Sequence, residues 1–211
     1  MDIAVFGTGN VGRTLGAALA AAGHAVTLGT RDPGATAARD GWDSPLPLRS
    51  YADAAAPVPV VVLAVSGDAA ADALGAAGDL TGRVVLDLTN PLDFSQGFPP
   101  TLFVKDTDSL AETLQREHPG ARVVKALNTV NVGLMVDPDA LAGGDHTVFL
   151  AGDDEAARET VRGLLEDLGW RDVVEFPSLD AARGLEMYVA LWVRLMGRLG
   201  HADFNVKLVR D

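Results

Sequence analysis

The sequence contains no cysteine, so disulfides, thiolate nucleophiles and cysteine-bound metals are excluded. Aromatic residues are scarce, at 6% of 211, while alanine and glycine are frequent, which suits close packing of helices on a sheet. No apolar run reaches the roughly 20 residues that a membrane-spanning helix needs. The longest apolar stretch, Ala54 to Val65, is interrupted by Pro57 and Pro59. Positive charge is in deficit: 17 Lys and Arg face 29 Asp and Glu, a net charge of −12. Nucleic acid and anionic membranes are poor partners for such a surface. The four histidines, His24, His118, His146 and His201, show no metal-ligand spacing and are expected at the surface. The chain opens directly on a strand, which leaves no room for a signal peptide, and a cytoplasmic location is expected. Its length allows one domain with a sizeable core, or one domain and a small appendage.

What is present is organised around the first dozen residues. Ile3 to Phe6 read as a short buried strand, and Asn10 to Ala22 as an alanine-rich helix. Between them stands Gly7-Thr8-Gly9-Asn10-Val11-Gly12, a G-x-G-x-x-G match in the strand–turn–helix setting that gives it meaning. Gly7 permits the tight turn, Gly9 lets the backbone approach a pyrophosphate, and Gly12 lets helix and strand pack closely. Free N–H groups and the positive helix end then face the phosphates. Thr8, Asn10 and Val11 belong to the same turn. A dinucleotide site is expected here, and because a dinucleotide is itself anionic, local cations such as Arg13 and Arg31 must offset the global charge.

A second strand, Ala25 to Leu28, ends in Gly29-Thr30-Arg31. An NAD-preferring fold usually carries an acid at that strand end, bonded to the ribose 2′-hydroxyl. A hydroxyl and a guanidinium in its place suit a 2′-phosphate, hence NADP; NAD stays open because Asp32 can offset Arg31. Asp32 to Pro47 reads as a loop with at most a short helix. Leu46 to Arg49 is a candidate edge strand and Tyr51 to Ala56 a short helix.

Val58 to Val65 is a continuous apolar run, as in a strand buried on both faces. Ala64, Val65 and Ser66 stand at its carboxyl end, where ligands sit in such sheets. Further strands are expected at Arg83 to Leu88, Ala121 to Leu127, His146 to Ala151 and Asp172 to Phe176. Asn90 and Asn128 follow two of them and are site candidates, Asn90 as a neutral donor and acceptor for a ribose or carboxamide. Asp87 is read as a structural carboxylate and Lys125 as a snorkelling edge residue. Leu92 to Lys105 reads as a long irregular loop, and Thr107 or Asp108 as the cap of a helix reaching Glu117. A second helix runs from Asp153 to about Leu168. Between Leu179 and Leu199, apolar residues Leu185, Tyr188, Leu191 or Trp192, Leu195 and Leu199 recur at helical spacing, as core packing or a dimer contact.

The fold class is therefore α/β: a Rossmann-type doubly wound, mostly parallel sheet of about eight strands with a C-terminal helix packed on it. Residues 1–177 form the dinucleotide-binding domain, and residues 178–211 a helix and tail on the same domain.

The stretches FGTGNVGRTLGAALAAAGHAVTLGTRDP, VVLDLTNPLDFSQGFPP, ARVVKALNTVN, TVFLAGDDEAA, DLGW and ARGLEMYVALWVRL, in this order, cover most of the chain. Together they resemble the reductases that pass hydride between NADPH and the deazaflavin coenzyme F420, and the cytosolic reductase domain of the six-transmembrane metalloreductases. The resemblance implies that Thr8, Gly9, Asn10 and Val11 meet the pyrophosphate and that Thr30 and Arg31 meet the 2′-phosphate. It places Val65 and Ser66 along the ribose and nicotinamide, and implies a homodimer. This chain departs from the family in having Asp32 where a second basic residue is common. It also has Pro177-Ser178-Leu179-Asp180 where a Pro-Leu-Ser-Asn-like segment is usual.

Hydride transfer between two flat rings needs stacking and orientation more than a side-chain acid. No Tyr-x-x-x-Lys pair and no Ser/His/Asp set stands out, so no catalytic side chain is assigned. The expected activity is an NADP(H)-dependent oxidoreductase with a small-molecule redox acceptor: a deazaflavin, a flavin or a similar compound. A 2-hydroxyacid or imine reductase would need a larger helical domain. A non-catalytic NADP-binding redox sensor is the alternative from another class.

Overall fold

The computed structural model describes residues 1–56 and 58–210. In chain order the elements are β1 (Asp2–Phe6), α1 (Asn10–Ala21), β2 (Ala25–Thr30), α2 (Pro33–Ala37), β3 (Leu48–Ser50) and α3 (Tyr51–Ala55). Then come β4 (Val60–Leu63), α4 (Ala70–Gly75), β5 (Val84–Asp87), β6 (Leu92–Asp93), β7 (Thr101–Leu102) and α5 (Leu110–Glu117). The chain continues through β8 (Arg122–Ala126), α6 (Val132–Val136), β9 (Thr147–Gly152), α7 (Glu155–Asp167), β10 (Asp172–Phe176) and α8 (Ala182–Leu199).

Eight strands form one sheet in the order β10-β9-β8-β5-β4-β1-β2-β3. All neighbours are parallel except β8 and β9, so the fold is the expected α/β Rossmann type. The chain order reverses between β1 and β4, which pair directly, and this switch point opens a crevice above their carboxyl ends. In β4, Val60 and Val62 face one apolar layer while Val61 and Leu63 face the other. Burial on both faces is why this strand reads as an unbroken apolar run.

Several local expectations are corrected. Lys125 is not an edge residue; β8 lies inside the sheet, and the side chain is fully buried between two carboxylates. An ion pair can be buried at such a position only because its partners are supplied by distant segments. The cap of α5 is Ser109, whose hydroxyl accepts the Glu112 N–H at 3.1 Å, and not Thr107 or Asp108. The segment after β5 contains the β6–β7 hairpin and exposes Phe94, Phe98 and Phe103. His146 is buried, its Nε2–H donating to the Pro138 carbonyl at 2.8 Å. On α8 the buried face is Ala182, Leu185, Glu186, Val189 and Val193, while Leu191 and Leu199 are exposed. The tail, patternless in sequence, is tied to the start of β9, where the Thr147 N–H donates to the Val206 carbonyl at 2.9 Å.

Candidate functional site

The glycine turn shows what each glycine is for. Gly7 has φ +125°, and a Cβ there would lie 2.4 Å from the Ala64 carbonyl oxygen. A Cβ on Gly12 would lie 2.1 Å from the Gly7 carbonyl oxygen. These two positions are closed by backbone. Gly9 differs: its φ of −79° is ordinary, and an added Cβ would meet nothing within 4 Å. The glycine therefore keeps open a space that the protein does not fill. No side chain caps α1 and its first turn carries no acid, whereas Asp32, Ser50, Ser109 and Asp154 cap α2, α3, α5 and α7. The start of α1 thus keeps its orphan N–H groups and positive end available to an anion. The open space and the free donors fit a pyrophosphate.

Beside this turn, between the ends of β1, β2 and β4, lies a cavity of about 480 Å³. Gly7, Thr8, Gly9, Thr30 and Arg31 line it, with Ala64, Val65 and Ser66 on the opposite wall. Gly29 is an interior residue of β2, which runs to Thr30 rather than ending at Leu28, and a Cβ there would strike the Phe6 ring at 2.6 Å. The strand ends at Thr30, with Arg31 the first residue after it. The Thr30 hydroxyl is 2.9 Å from that of Thr36. Asp32, which also lines the cavity, caps α2, where it accepts the Ala35 N–H at 2.9 Å. Arg31 is exposed and joins no ion pair among the described residues. Tyr51 packs on Phe6 at 4.6 Å between ring centroids and lines the same cavity. Partial burial raises its pKa, opposed by the nearby Arg31 charge.

A second, mainly apolar cavity of about 300 Å³ continues from Ala64 and Val65. Val11, Leu88, Met135 and the α8 residues Val189, Trp192 and Val193 enclose it. Asn90 and Asn128 supply polar atoms and hold each other. The Asn128 amide donates to the Asn90 side-chain oxygen at 2.9 Å, and the Asn90 amide donates to the Asn128 carbonyl at 2.9 Å. Asn128 also donates to the Leu185 carbonyl at 3.0 Å, which fixes α8 over the cavity. A third hollow of about 350 Å³ joins at Val65, with Ser66, Asn90 and the exposed Phe94 on its wall. The three spaces form one cleft along the carboxyl ends of the central strands.

Most of the residues singled out in the sequence meet in this cleft. Asn10 and Gly12 do not line it. The Asn10 side chain faces a separate surface hollow with Arg13, which pairs with Asp43 at 3.0 Å, and Gly12 lies behind the turn. Sequence reasoning missed Arg39, Tyr51 and the inner face of α8. Arg39 lies within a stretch read as a loop, and its approach to Thr8 depends on the fold. Trp192 stood in a recognised apolar pattern, which carries no sign of which cavity it would line.

Behind the cleft lies a buried charged cluster. The Lys125 ammonium is 2.9 Å from the Asp87 carboxylate and 2.8 Å from that of Glu186, and it donates to the Thr89 carbonyl. Glu186 also accepts the Leu110 and Ala111 N–H groups at 2.8 and 3.1 Å. Burial alone would lower the lysine pKa, but Asp87 and Glu186 outweigh it and hold it above the ordinary value. Burial raises the Glu186 pKa, against the pull of Lys125 and with the Asp87 charge adding to the rise. The cluster lies inside the protein and joins β5, β8, α5 and α8.

Fold and cleft together define a Rossmann-type nucleotide-binding oxidoreductase. The family model of coenzyme F420-dependent NADP oxidoreductases matches residues 2–91. The F420-dependent NADP reductase of Methanothermobacter thermautotrophicus is 30% identical over 216 residues, covering 92% of this chain and 89% of that protein. The chain belongs to this family of NADP-dependent reductases. A crystal structure of a candidate F420-dependent NADP reductase from Arthrobacter sp. FB24 is 51% identical, covers 100% of both chains and has a TM-score of 0.97. The metalloreductase STEAP3 of Rattus norvegicus is 27% identical over 186 residues; the match takes in 87% of this chain but only 35% of that longer protein. A reductive aminase from Aspergillus terreus in complex with NADPH shares the fold, at 20% identity and a TM-score of 0.65 over 61% of its chain. Among the described residues no helix is long and apolar enough to cross a membrane, and no group of three or more acidic or histidine side chains is arranged for a metal ion.

Proposed function

We propose that the protein transfers hydride between NADP(H) and a flat redox acceptor, a deazaflavin such as F420, a flavin or a similar ring compound. The carrying observation is the single cleft, basic and hydroxyl-lined at the β2 end and apolar at the α8 end. In this reading Gly7, Thr8, Gly9 and Val11 meet the pyrophosphate along the turn, chiefly through backbone N–H groups, while Asn10 and Gly12, which do not line the cleft, shape the turn and the start of α1. Thr30 and Arg31 bind the 2′-phosphate, and Asp32 does not oppose them because it caps α2. Ala64, Val65 and Ser66 flank the ribose. Asn90 and Asn128 edge the apolar cavity that takes the nicotinamide. NADPH supplies the hydride when bound. The side chains orient two rings and exclude water, and no protein acid or base is required. The names of the methanogen relatives favour a deazaflavin as acceptor.

Two further readings belong to this proposal. Residues 1–177 form the dinucleotide-binding domain, with residues 178–211 packed on it. The protein is a homodimer, in which a second copy covers the exposed Leu191 and Leu199 of α8.

The test is titration with NADPH and NADH, for wild type and Arg31→Ala. Hydrogen bonds to a charged group contribute about 1.5–3 kcal/mol, and the exposure of Arg31 puts its loss at the lower end. Tighter NADPH binding that Arg31→Ala abolishes supports the site. Equal binding of the two cofactors refutes the NADP assignment. NADPH consumption with F420, FMN and FAD in turn then identifies the acceptor, and no consumption with any of them removes the flat-ring reading.

A further inference from the structure

We infer that Arg39 is a second determinant of NADP specificity, meeting the 2′-phosphate in the cavity it lines together with Arg31; this rests on the NADP reading above. Arg39 stands just beyond α2, where the chain still turns and its N–H donates to the Thr36 carbonyl at 3.2 Å. One guanidinium nitrogen donates to the Thr8 hydroxyl at 3.1 Å, and the other to the Thr36 hydroxyl at 3.4 Å. Thr36 is buried and bonded to Thr30. A single cation thus joins the glycine turn to the end of β2, the two walls of the 480 Å³ cavity.

The charge balance of that cavity gives the reason for a second cation. A phosphate monoester carries about −1.5 to −2 at neutral pH. One exposed arginine cannot match it in a chain of net charge −12. Among the described residues neither Arg31 nor Arg39 is paired with a carboxylate. Asp32, the acid in the lining, is held by the α2 cap. Of the five guanidinium donors of Arg39, two reach threonines, and the others are available to a ligand. The basic residue that is not adjacent to Arg31 in sequence is brought to it by the short helix α2.

A merely structural role is separable from this one. If Arg39 only braced Thr8, its removal would weaken every adenine nucleotide alike. Calorimetric titration of wild type, Arg39→Ala and Arg39→Lys with 2′,5′-ADP and 5′-AMP, and with NADPH and NADH, distinguishes the two. The expectation for Arg39→Ala is a loss of about tenfold or more for 2′,5′-ADP and NADPH, with 5′-AMP and NADH changed no more than about twofold. Arg39→Lys keeps the charge but not the planar fork and should fall between. Equal losses for both ligand classes, or no loss for the 2′-phosphorylated ones while wild type still prefers NADPH, overturn the role of Arg39 alone. A wild type that does not distinguish 2′,5′-ADP from 5′-AMP overturns the NADP reading and this inference with it.

Discussion

Replacing Lys125 by methionine tests the claim that the buried cluster is held by one cation. Methionine follows the aliphatic stem of lysine, so the change removes the ammonium without opening a large cavity. Asp87 keeps the Thr89 N–H and hydroxyl at 2.8 and 2.7 Å, and Glu186 keeps its two α5 N–H groups. What disappears is the counter-charge for two carboxylates at 0% and 1% side-chain exposure. Removing one partner of a buried ion pair costs about 3–5 kcal/mol. That is a large part of the 5–15 kcal/mol typical of a whole domain. The deficit has a definite pH sign. Without Lys125 the burial of Glu186, which already raises its pKa, is no longer opposed by a cation, so its folded pKa lies further above the unfolded one. The contribution of Glu186 is then present below its unfolded pKa, about 4.3, and lost as pH rises through the folded value. Urea unfolding at about pH 5 and about pH 8 should therefore show the larger deficit at the higher pH. A loss under about 1 kcal/mol at pH 8, or a deficit that grows on acidification, refutes the reasoning. Glu186→Gln is the companion variant. The Glu186 pKa is already raised in the wild type, by burial first, so the wild type loses this stabilisation as pH rises. The glutamine variant should compare more favourably with wild type at pH 8 than at pH 5.

Gly9→Ala and Gly12→Ala should behave oppositely. The open position 9 predicts unchanged stability, within about 0.5 kcal/mol, but at least a tenfold loss of NADPH affinity as the methyl group fills the phosphate space. The closed position 12 predicts about 1–3 kcal/mol of destabilisation by overpacking; thermal unfolding with parallel titrations checks both. Glu175 accepts from Arg158 at 2.6 Å and Arg162 at 2.7 Å, and these bonds, Arg158 first, hold its pKa below the ordinary value. Glu175→Gln should cost about 1–2 kcal/mol at neutral pH. Because the depressed pKa stabilises the fold above the unfolded value of about 4.3, that difference should vanish as pH falls through the folded pKa.

The sequence by itself determined the chain order of the sheet strands, the longer helices, the glycine turn and its partner strand ends, because these rest on local periodicity and on spacings within a few residues; the β6–β7 hairpin and α6 are too short to leave such a pattern. β10 was placed from Asp172 to Phe176, and β4 was recognised as buried on both faces. Gly7 announced a tight turn and Gly12 a close packing of helix and strand, which the Ala64 and Gly7 carbonyls respectively account for. Tertiary structure alone decided the rest. Lys125 read as a solvated side chain because Asp87 lies 38 residues away in sequence and Glu186 lies on α8, and neither partner leaves a mark near residue 125. Arg39 read as loop because its meeting with Thr8 spans 31 residues and depends on how α2 folds back over β2. The cap formed by Asp32, by contrast, is local: its carboxylate accepts the Ala35 N–H, three residues on, at 2.9 Å, a signal the sequence carried in Asp32-Pro33 and the reading of a loop passed over. Local sequence fixes backbone conformation, whereas the partner of a charge is set by which distant strand ends the sheet brings side by side.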